Sequence, residues 1–218
     1  KQDYVFIPTS DEYMINYVKN LYKTALKSGF KPEDIAIITP SRKGACGTIE
    51  LNKIMQEEFN PYSQGKYSVK SGEQTYRVGD IVIQTVNNYR ATDENGCEVK
   101  ITNGETGKIT QITYKEVIVD YGRKVIVYDK KDLSQIDLGY VLTTHKMQGS
   151  GAKIVILLSP RANVFMLNKN AIYVGITRAS VKCFHLSLPQ TINQAINKSA
   201  DLTRQSWLKD LLLKQETN

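Results

Sequence analysis

The stretch Ile35–Thr39, IAIIT, is a short and wholly apolar run that predicts a strand buried on both faces. Apolar residues at helical spacing precede it, after a helix start at Ser10 with acidic residues in the first turn. The run DYVFIPT at residues 3–9 predicts another buried strand, and Thr48 to Phe59 predicts a second amphipathic helix. Strand, helix, strand and helix in this order indicate an α/β layer with a parallel sheet.

The pattern changes near residue 72. Short runs rich in Val, Ile and Tyr follow, among them Tyr76 to Val86, and Asn-Gly and Tyr-Gly dipeptides separate them. This texture is typical of small antiparallel sheets and hairpins. Parallel-type strands return after Asp137, with a helix expected within Val164 to Thr177 and another from Gln190 to Leu213. The sequence therefore predicts an α/β domain that is interrupted by a small β-module.

Composition narrows the class of protein. Lys and Arg total 29 against 22 Asp and Glu, a net charge of +7 that suits a polyanion such as nucleic acid. No apolar run approaches the roughly 18 residues that a membrane helix needs, so no membrane partner is expected. The three cysteines are far apart and form no CxxC pair, which argues against zinc and against a disulfide framework and favours a cytoplasmic protein.

Two loops carry candidate chemistry. The first is Thr143 to Ser150, TTHKMQGS, whose hydroxyls, histidine and lysine could donate to phosphates. The second is Ala171 to Ala179, AIYVGITRA, in which Arg178 ends an apolar helix and could stabilise charge on a transferring phosphoryl group. Composition alone favours plainer interpretations, namely a polar surface loop and an arginine that pairs with a local acid.

The two loops together carry a resemblance to a known family. THKxQG, followed about 25 residues later by YxxITRA, is similar to motifs V and VI of superfamily 1 helicases of the RecD/TraA type. Three further segments match that family in order along the chain. They are TPSRKGACGT at residues 39–48, which resembles its motif IV region, GDIVIQ followed by NNY at residues 79–89, and NGETG at residues 103–107.

The resemblance implies an α/β fold: a RecA-like domain of the P-loop NTPase type, the second motor domain, which lacks the P-loop itself. It would cover residues 1–100 and 138–218, with a small SH3-like β-barrel inserted at residues 101–137. The implied function is the C-terminal motor half of an ATP-dependent DNA helicase that moves 5′ to 3′ on single-stranded DNA. ATP with Mg²⁺ would be the cofactor, with its metal ligands in a missing N-terminal RecA-like domain of the same parent chain. Further recombination or repair subunits are partners that this family allows.

The resemblance also assigns roles to residues. Arg178 would be the arginine finger and Arg42 a second phosphate sensor, which makes both catalytic and nucleotide-binding. Gln148 and Gly149 would lie beside the nucleotide. Contacts to DNA would come from Thr144, His145, Lys146, Asn87 and Asn88, although neighbouring asparagines are as often turn formers. No metal ligand is expected in this chain.

Two departures from the family pattern keep an alternative open. Gly151 follows Ser150 where the family usually has a glutamate. No GxxxxGK[ST] motif occurs anywhere in the sequence, and no acidic motif of the Walker B type is evident. We therefore expect a piece of a longer protein that hydrolyses no ATP alone. The alternative is a non-catalytic nucleic-acid-binding module, in which the SH3-like insert with its lysines provides the affinity.

Overall fold

The computed structural model describes residues 3–147 and 150–198. This part of the chain is mixed α/β, as the sequence predicts, with a five-stranded sheet, a seven-stranded sheet and a two-stranded hairpin. Ile37 of the first sheet and Val82 of the second are fully buried in one hydrophobic cluster, so the two larger sheets share a core. No described helix is both long and apolar enough to cross a membrane.

The first α/β layer forms where the apolar spacing predicts it. Asp11 and Glu12 lie in the first turn of the first helix, where negative charge is favourable. Met14 and Val18 lie one turn apart on the buried face of that helix. The elements of this layer are β1 (Tyr4–Pro8), α1 (Asp11–Lys27), β2 (Ile35–Thr39) and α2 (Thr48–Phe59).

The middle of the chain forms antiparallel strands, as its turn dipeptides predict. The run from Tyr76 to Val86 contributes to two strands, because the chain turns at residues 78–80. Gly79 has a φ of +94° there, a left-handed conformation that glycine adopts without strain. The strands are β3 (Ser68–Ser71), β4 (Gln74–Arg77), β5 (Ile81–Gln84), β6 (Asn88–Asp93), β7 (Glu98–Ile101), β8 (Thr106–Ile112), β9 (Glu116–Asp120), β10 (Val125–Asp129) and β11 (Ile136–Leu138).

The last part of the chain returns to the parallel layer. The helix expected within Val164 to Thr177 is present, and it begins at Lys169 because Asn168 caps it by accepting a hydrogen bond from the Ala171 amide at 2.8 Å. A separate 3₁₀ helix, Arg161–Met166, precedes it. Beyond residue 198 the helix expected to reach Leu213 lies outside the described residues. The elements are β12 (Val141–Thr143), β13 (Ala152–Ser159), α3 (Lys169–Ile176), β14 (Ala179–Ser187) and α4 (Pro189–Asn197).

The five-stranded sheet has the order β1-β14-β13-β2-β12, and every pair in it is parallel. All five strands therefore end at the same edge of the sheet. We call the edge where β2 and β12 end, at Thr39 and Thr143, the carboxyl edge. The edge where β13 and β14 begin, at Ala152 and Ala179, is the amino edge.

The seven-stranded sheet has the order β11-β5-β8-β9-β10-β6-β7, and its pairs are antiparallel. Gly139 leads from this sheet into β12. A Cβ at position 139 would lie 2.8 Å from the Val82 carbonyl carbon, so the chain passes β5 too closely for any side chain. The sheet includes strands on both sides of residue 101, and the insert bounds of 101–137 stay a prediction.

His185 joins three strands of the parallel sheet. It is fully buried on β14, with the Tyr4 hydroxyl 2.8 Å from Nδ1 and the Ser159 hydroxyl 2.8 Å from Nε2. Burial lowers the pKa of His185 from 6.5 to about 4, because desolvation disfavours the charged ring. The neutral ring is therefore part of the folded state.

We expect His185 to make the fold acid-sensitive. A lowered pKa in the folded state contributes stability above pH 6.5 that is lost as the pH falls towards 4, about 3 kcal/mol in all. His185→Gln should flatten this dependence in chemical denaturation series at several pH values. The exposed His145 offers a matched control, since His145→Gln should retain the wild-type pH dependence. An unchanged slope in His185→Gln would contradict this account.

Candidate functional site

The TTHKMQGS segment crosses from one edge of the parallel sheet to the other. It leaves β12 at the carboxyl edge, where the Thr144 amide donates to the Thr39 carbonyl at 3.3 Å. It reaches β13 at the amino edge, after a turn in which the Ser150 amide donates to the Met147 carbonyl at 3.1 Å. The buried side chain of Met147 packs in a hydrophobic cluster with Ile38 and so anchors this end of the segment to the sheet. Gln148 and Gly149 lie outside the described residues.

The polar side chains of this segment differ in exposure. Thr144 is buried, His145 is exposed and Lys146 is half-buried. Burial lowers the pKa of Lys146, the charge of Arg42 acts in the same direction, and Asp137 opposes both. Lys146 and Arg42 line one cavity together with Thr48, Asn52, Asp137 and Thr143. The structure therefore brings Arg42, which follows β2 as an exposed loop residue, to Lys146 at the carboxyl edge.

The antiparallel sheet contributes to the same place. The Asn103 amide donates to the Asn87 side-chain oxygen at 2.9 Å. Gly104, the next residue, has a φ of +96°, and a Cβ there would lie 3.5 Å from the Lys146 carbonyl oxygen. The Asn103-Gly104 turn therefore lies close to the Lys146 backbone. Two residues that the family resemblance assigns to DNA, Asn87 and Lys146, are close to each other through this turn.

Asn88 has mainly internal partners. Its Nδ2 donates to Gln135 Oε1 at 3.0 Å, and its Oδ1 accepts from the Arg90 amide at 2.9 Å. The side chain is half-buried. These contacts fix the Asn88 side chain at the start of the β6 strand. A role of Asn88 in binding DNA stays a prediction.

Arg178 lies at the amino edge, between α3 and β14. Gly175 brings α3 close to β13, since a Cβ there would lie 2.7 Å from Leu157 Cδ1. The Arg178 guanidinium donates to Val174 O at 3.3 Å, to Ser150 O at 3.2 Å and to Thr177 Oγ1 at 3.4 Å. All three acceptors are neutral, and no carboxylate within the described ranges forms an ion pair with Arg178. The half-exposed cation is held in place but not neutralised.

The structure does not bring the two predicted catalytic arginines together. Arg42 follows the carboxyl edge and Arg178 precedes the amino edge. The strand register aligns Leu157 with Ile38, so about six residues of β13, or about 20 Å, separate the two edges. The crossing segment is the physical link between them, since it holds Lys146 at one end and accepts from Arg178 at the other. The role of Arg42 as a second phosphate sensor stays a prediction.

A buried carboxyl group, which the sequence did not reveal, connects the region before β5 with the parallel layer. Asp80 is fully buried and accepts hydrogen bonds from Gln56 of α2 at 2.5 Å and from Asn60, the residue after α2, at 2.6 Å. It also accepts from the Arg77 amide at 2.7 Å and the Tyr140 hydroxyl at 3.0 Å. Burial raises the pKa of Asp80 even though four donors act to lower it. The signal was present as Gly79-Asp80 in the quoted GDIVIQ segment.

Metal binding has no candidate in the described part of the chain. Residues 3–147 and 150–198 contain no group of three or more His, Cys, Asp or Glu side chains placed to hold a metal ion. All three cysteines are free thiols, and burial raises the pKa of Cys46 and of Cys183 to about 11.

Two family models match the chain. The model of the ATP-dependent RecD-like DNA helicase SH3 domain matches residues 51–121, which include the GDIVIQ segment and the Asn103-Gly104 turn. The model of the UvrD-like helicase C-terminal domain matches residues 138–184, which include the crossing segment and Arg178. Each match covers motifs that the sequence analysis quoted.

Similar proteins agree with these models. An ATP-dependent RecD2 DNA helicase of Deinococcus radiodurans is 33% identical over 70% of this chain and 20% of its own length. A RecBCD enzyme subunit RecD of Buchnera aphidicola is 29% identical over 62% of this chain and 22% of its own length. The chain thus spans about a fifth of these curated relatives.

A crystal structure of Bacteroides Pif1 bound to single-stranded DNA is similar in fold. Its TM-score is 0.51 at 17% identity, and the match covers 97% of this chain and 55% of that one. With the SH3 model, this likeness confirms the fold class, a RecA-like α/β domain with an SH3-like β-barrel. The matches also confirm the resemblance that the motifs predict: the chain carries the SH3 domain and the C-terminal domain of a RecD-type superfamily 1 DNA helicase.

Proposed function

We propose that this chain is the C-terminal motor half of an ATP-dependent DNA helicase that moves 5′ to 3′ on single-stranded DNA. Its partner would be an N-terminal RecA-like domain of the same parent protein, and further recombination or repair subunits could join them. The observation that carries the proposal is the crossing segment. It accepts a hydrogen bond from Arg178 at the amino edge and holds Lys146 beside Arg42 at the carboxyl edge.

The amino edge is the nucleotide side in this proposal. Arg178 is a fixed, permanently charged fork with only neutral partners, which suits it to charge that develops on a transferring phosphoryl group. Gln148 and Gly149 belong to the same segment and would lie beside the nucleotide. The chain offers no phosphate loop in its sequence, so the partner domain would supply the phosphate cradle and the ligands of Mg²⁺. The isolated chain would then hydrolyse no ATP.

The carboxyl edge is the DNA side. Thr144, His145 and Lys146 would contact the backbone of single-stranded DNA, with Asn87 and Asn88 on the neighbouring antiparallel sheet. The backbone contact between the Asn103-Gly104 turn and Lys146 supports this grouping. Lys146 suits a phosphate contact, because its lowered pKa reflects partial desolvation that an anion would offset. Arg42 lies close enough to Lys146 to serve the same strand.

Coupling between the two sides would run through the crossing segment. Closure of a partner domain on a nucleotide would bring the nucleotide into contact with Arg178. A movement of Arg178 would then displace Ser150, whose carbonyl oxygen accepts a hydrogen bond from it. The Ser150 amide is hydrogen-bonded to the carbonyl of Met147, the neighbour of Lys146, so a shift at Ser150 would be transmitted to Lys146 and the DNA contacts. In this arrangement, closure of the partner domain on a nucleotide would move the bound single-stranded DNA.

The DNA side can be tested on the chain itself. We expect Lys146→Ala to weaken binding to a labelled single-stranded oligonucleotide about 5- to 10-fold, irrespective of sequence. Loss of one phosphate contact should also reduce the slope of log affinity against log salt by about 0.7. Fluorescence anisotropy over a salt series measures both quantities. Lys27→Ala, which removes an exposed lysine on α1, is the matched control and should change neither by much.

Arg42→Ala in the same assay decides where Arg42 acts. A loss like that of Lys146→Ala assigns Arg42 to the DNA side. Unchanged DNA affinity, with reduced ATP turnover in the parent protein, assigns it to the phosphates of ATP. If Lys146→Ala binds DNA as the wild type does, with the same salt slope, the proposed DNA side is wrong.

A non-catalytic nucleic-acid-binding module is the second candidate. It is favoured by Gly151, which stands where the RecD/TraA family usually has a glutamate. A Cβ at position 151 would lie 3.3 Å from the Arg178 carbonyl oxygen, which leaves little room for a longer residue without a small shift. In this case the chain would bind DNA but Arg178 would have no effect on ATP turnover.

A further inference from the structure

One exposed aromatic residue of the antiparallel sheet lies close to the proposed DNA side but has no role in it so far. Tyr89 on β6 is 61% exposed, and the Lys100 ammonium on β7 lies 4.9 Å from the centre of its ring. A cation at this distance over a ring face is an attractive contact. Ala91, two residues further along the same strand, is buried.

A β-bulge sets the position of Tyr89. Asn88 is paired with Ile101 and Ala91 with Val99, so Tyr89 and Arg90 together face the single residue Lys100. Ile101 is fully buried and Ala91 nearly so, which anchors both ends of the bulge to the core. The hydrogen bond from the Arg90 amide to Asn88 Oδ1 further fixes it. Bulges of this kind turn a side chain away from the regular alternation of the sheet.

The bulge adjoins the residues that would bind DNA. Asn87, two positions before Tyr89, accepts from the Asn103 amide, and the Asn103-Gly104 turn rests on the Lys146 backbone. The exposed Arg90, the residue after Tyr89 in the same bulge, adds a second positive charge to this part of β6. A single strand of DNA that contacts Lys146 would therefore continue along the Asn103-Gly104 turn towards Tyr89.

We propose that Tyr89 is a stacking platform for one base of single-stranded DNA, with Lys100 and Arg90 bound to the flanking phosphates. This rests on the proposed DNA side and extends it onto the antiparallel sheet. Bases of any sequence have an aromatic face, so the platform would not select a sequence. The lysine over one face of the ring leaves the exposed remainder for a base. The phosphates that flank this base would contact the same Lys100 ammonium.

The chain contains a matched control for this proposal. Tyr114 is 87% exposed, and the Lys130 ammonium lies 5.0 Å from the centre of its ring. It lies in the turn between β8 and β9, whereas Gly104 precedes the other end of β8. Tyr114 has the same ring and cation chemistry but is far from the Lys146 backbone along the strand. It should not take part in binding.

The test compares two oligonucleotides that differ only in bases. One is a labelled oligothymidylate, and the other has the same backbone with abasic sites in place of the bases. We expect Tyr89→Ala to weaken binding of the oligothymidylate about 10-fold and to bind the abasic strand as the wild type does. Tyr89→Phe should retain wild-type affinity for both, since it keeps the ring. Tyr114→Ala should match the wild type on both strands.

The outcomes separate this proposal from the one on which it rests. If Lys146→Ala weakens binding but Tyr89→Ala does not, the platform is wrong and the DNA side stands. An equal loss by Tyr89→Ala on both oligonucleotides also rejects stacking, because the bases then make no difference. If the wild-type chain binds neither strand, both proposals fail together. Circular dichroism melting of each variant checks that the folded chain is being compared.

Discussion

Arg178→Ala is expected to reduce DNA-stimulated ATP turnover about 1,000-fold in a protein that joins this chain to an N-terminal RecA-like domain. The expected effect is large because an arginine finger acts on charge that is present mainly in the transition state. Three neutral acceptors hold the guanidinium at the amino edge, and no described carboxylate pairs with it. Its charge is thus available to a nucleotide.

The accompanying measurements give this result its meaning. Affinity for ATP, measured by equilibrium binding, should change far less than turnover, since the partner domain would hold most of the nucleotide. Arg178→Lys should recover only part of the rate, because an ammonium lacks the planar fork. Arg161→Ala removes an exposed arginine after β13 and should leave turnover intact. Equal turnover in wild type and Arg178→Ala would reject the motor proposal and favour the binding module.

The sequence predicted local elements well where apolar periodicity was strong. The bounds of β2 and α2 agree with those expected from residues 35–39 and 48–59, because a buried strand and an amphipathic helix leave distinct spacings. The helix expected within residues 164–177 is present, but apolar residues lie on both sides of its first residue, so their spacing did not give its start. Asn168 marked the true start, but an N-cap is a single-residue signal that a long apolar run can obscure.

Strand partners and site geometry could not be predicted in this way. Pairing of β11 with β5, and the approach of Gly104 to Lys146, join residues that are more than 40 positions apart in the sequence. Such contacts depend on how whole elements pack, which local spacing does not encode. The residue types of the candidate site were predictable from motifs. That Arg42 neighbours Lys146, and lies at the opposite edge from Arg178, required the sheet order.

Asp80 illustrates what a motif leaves unsaid. Its segment GDIVIQ was quoted for its likeness to a family pattern, with no role for the carboxylate. In the folded chain the Asp80 side chain accepts hydrogen bonds from Gln56 of α2 and from Asn60, the residue after α2. It also accepts one from Tyr140, which lies just before β12. One buried carboxyl group therefore links the chain before β5 to α2 and to the path into β12. Only the fold brings its four donors together, and their loss should be costly.

Asp80→Ala is expected to lower the free energy of unfolding by about 3 to 5 kcal/mol, because four buried donors lose their acceptor. Denaturant titration of this chain, followed by circular dichroism, measures the loss. Asp120→Ala is the matched control, since that exposed carboxylate accepts one turn hydrogen bond from Gly122 at 2.7 Å. It should cost less than about 1 kcal/mol. A loss of similar size in both variants would contradict the proposed importance of the buried network.

A double-mutant cycle locates the loss in the network rather than in packing. Tyr140→Phe removes only the hydroxyl that donates to Asp80, and should cost about 1.5 kcal/mol in the wild type. In the Asp80→Ala background it should cost almost nothing.

The pH dependence of stability provides a second test of the role of Asp80. Burial raises the pKa of Asp80 in the folded state, so its contribution is greatest below pH 3.8 and declines as the pH rises through the folded pKa. The difference between wild type and Asp80→Ala should therefore grow as the pH is lowered, whereas additive losses with no pH dependence would show that Asp80 acts by volume alone.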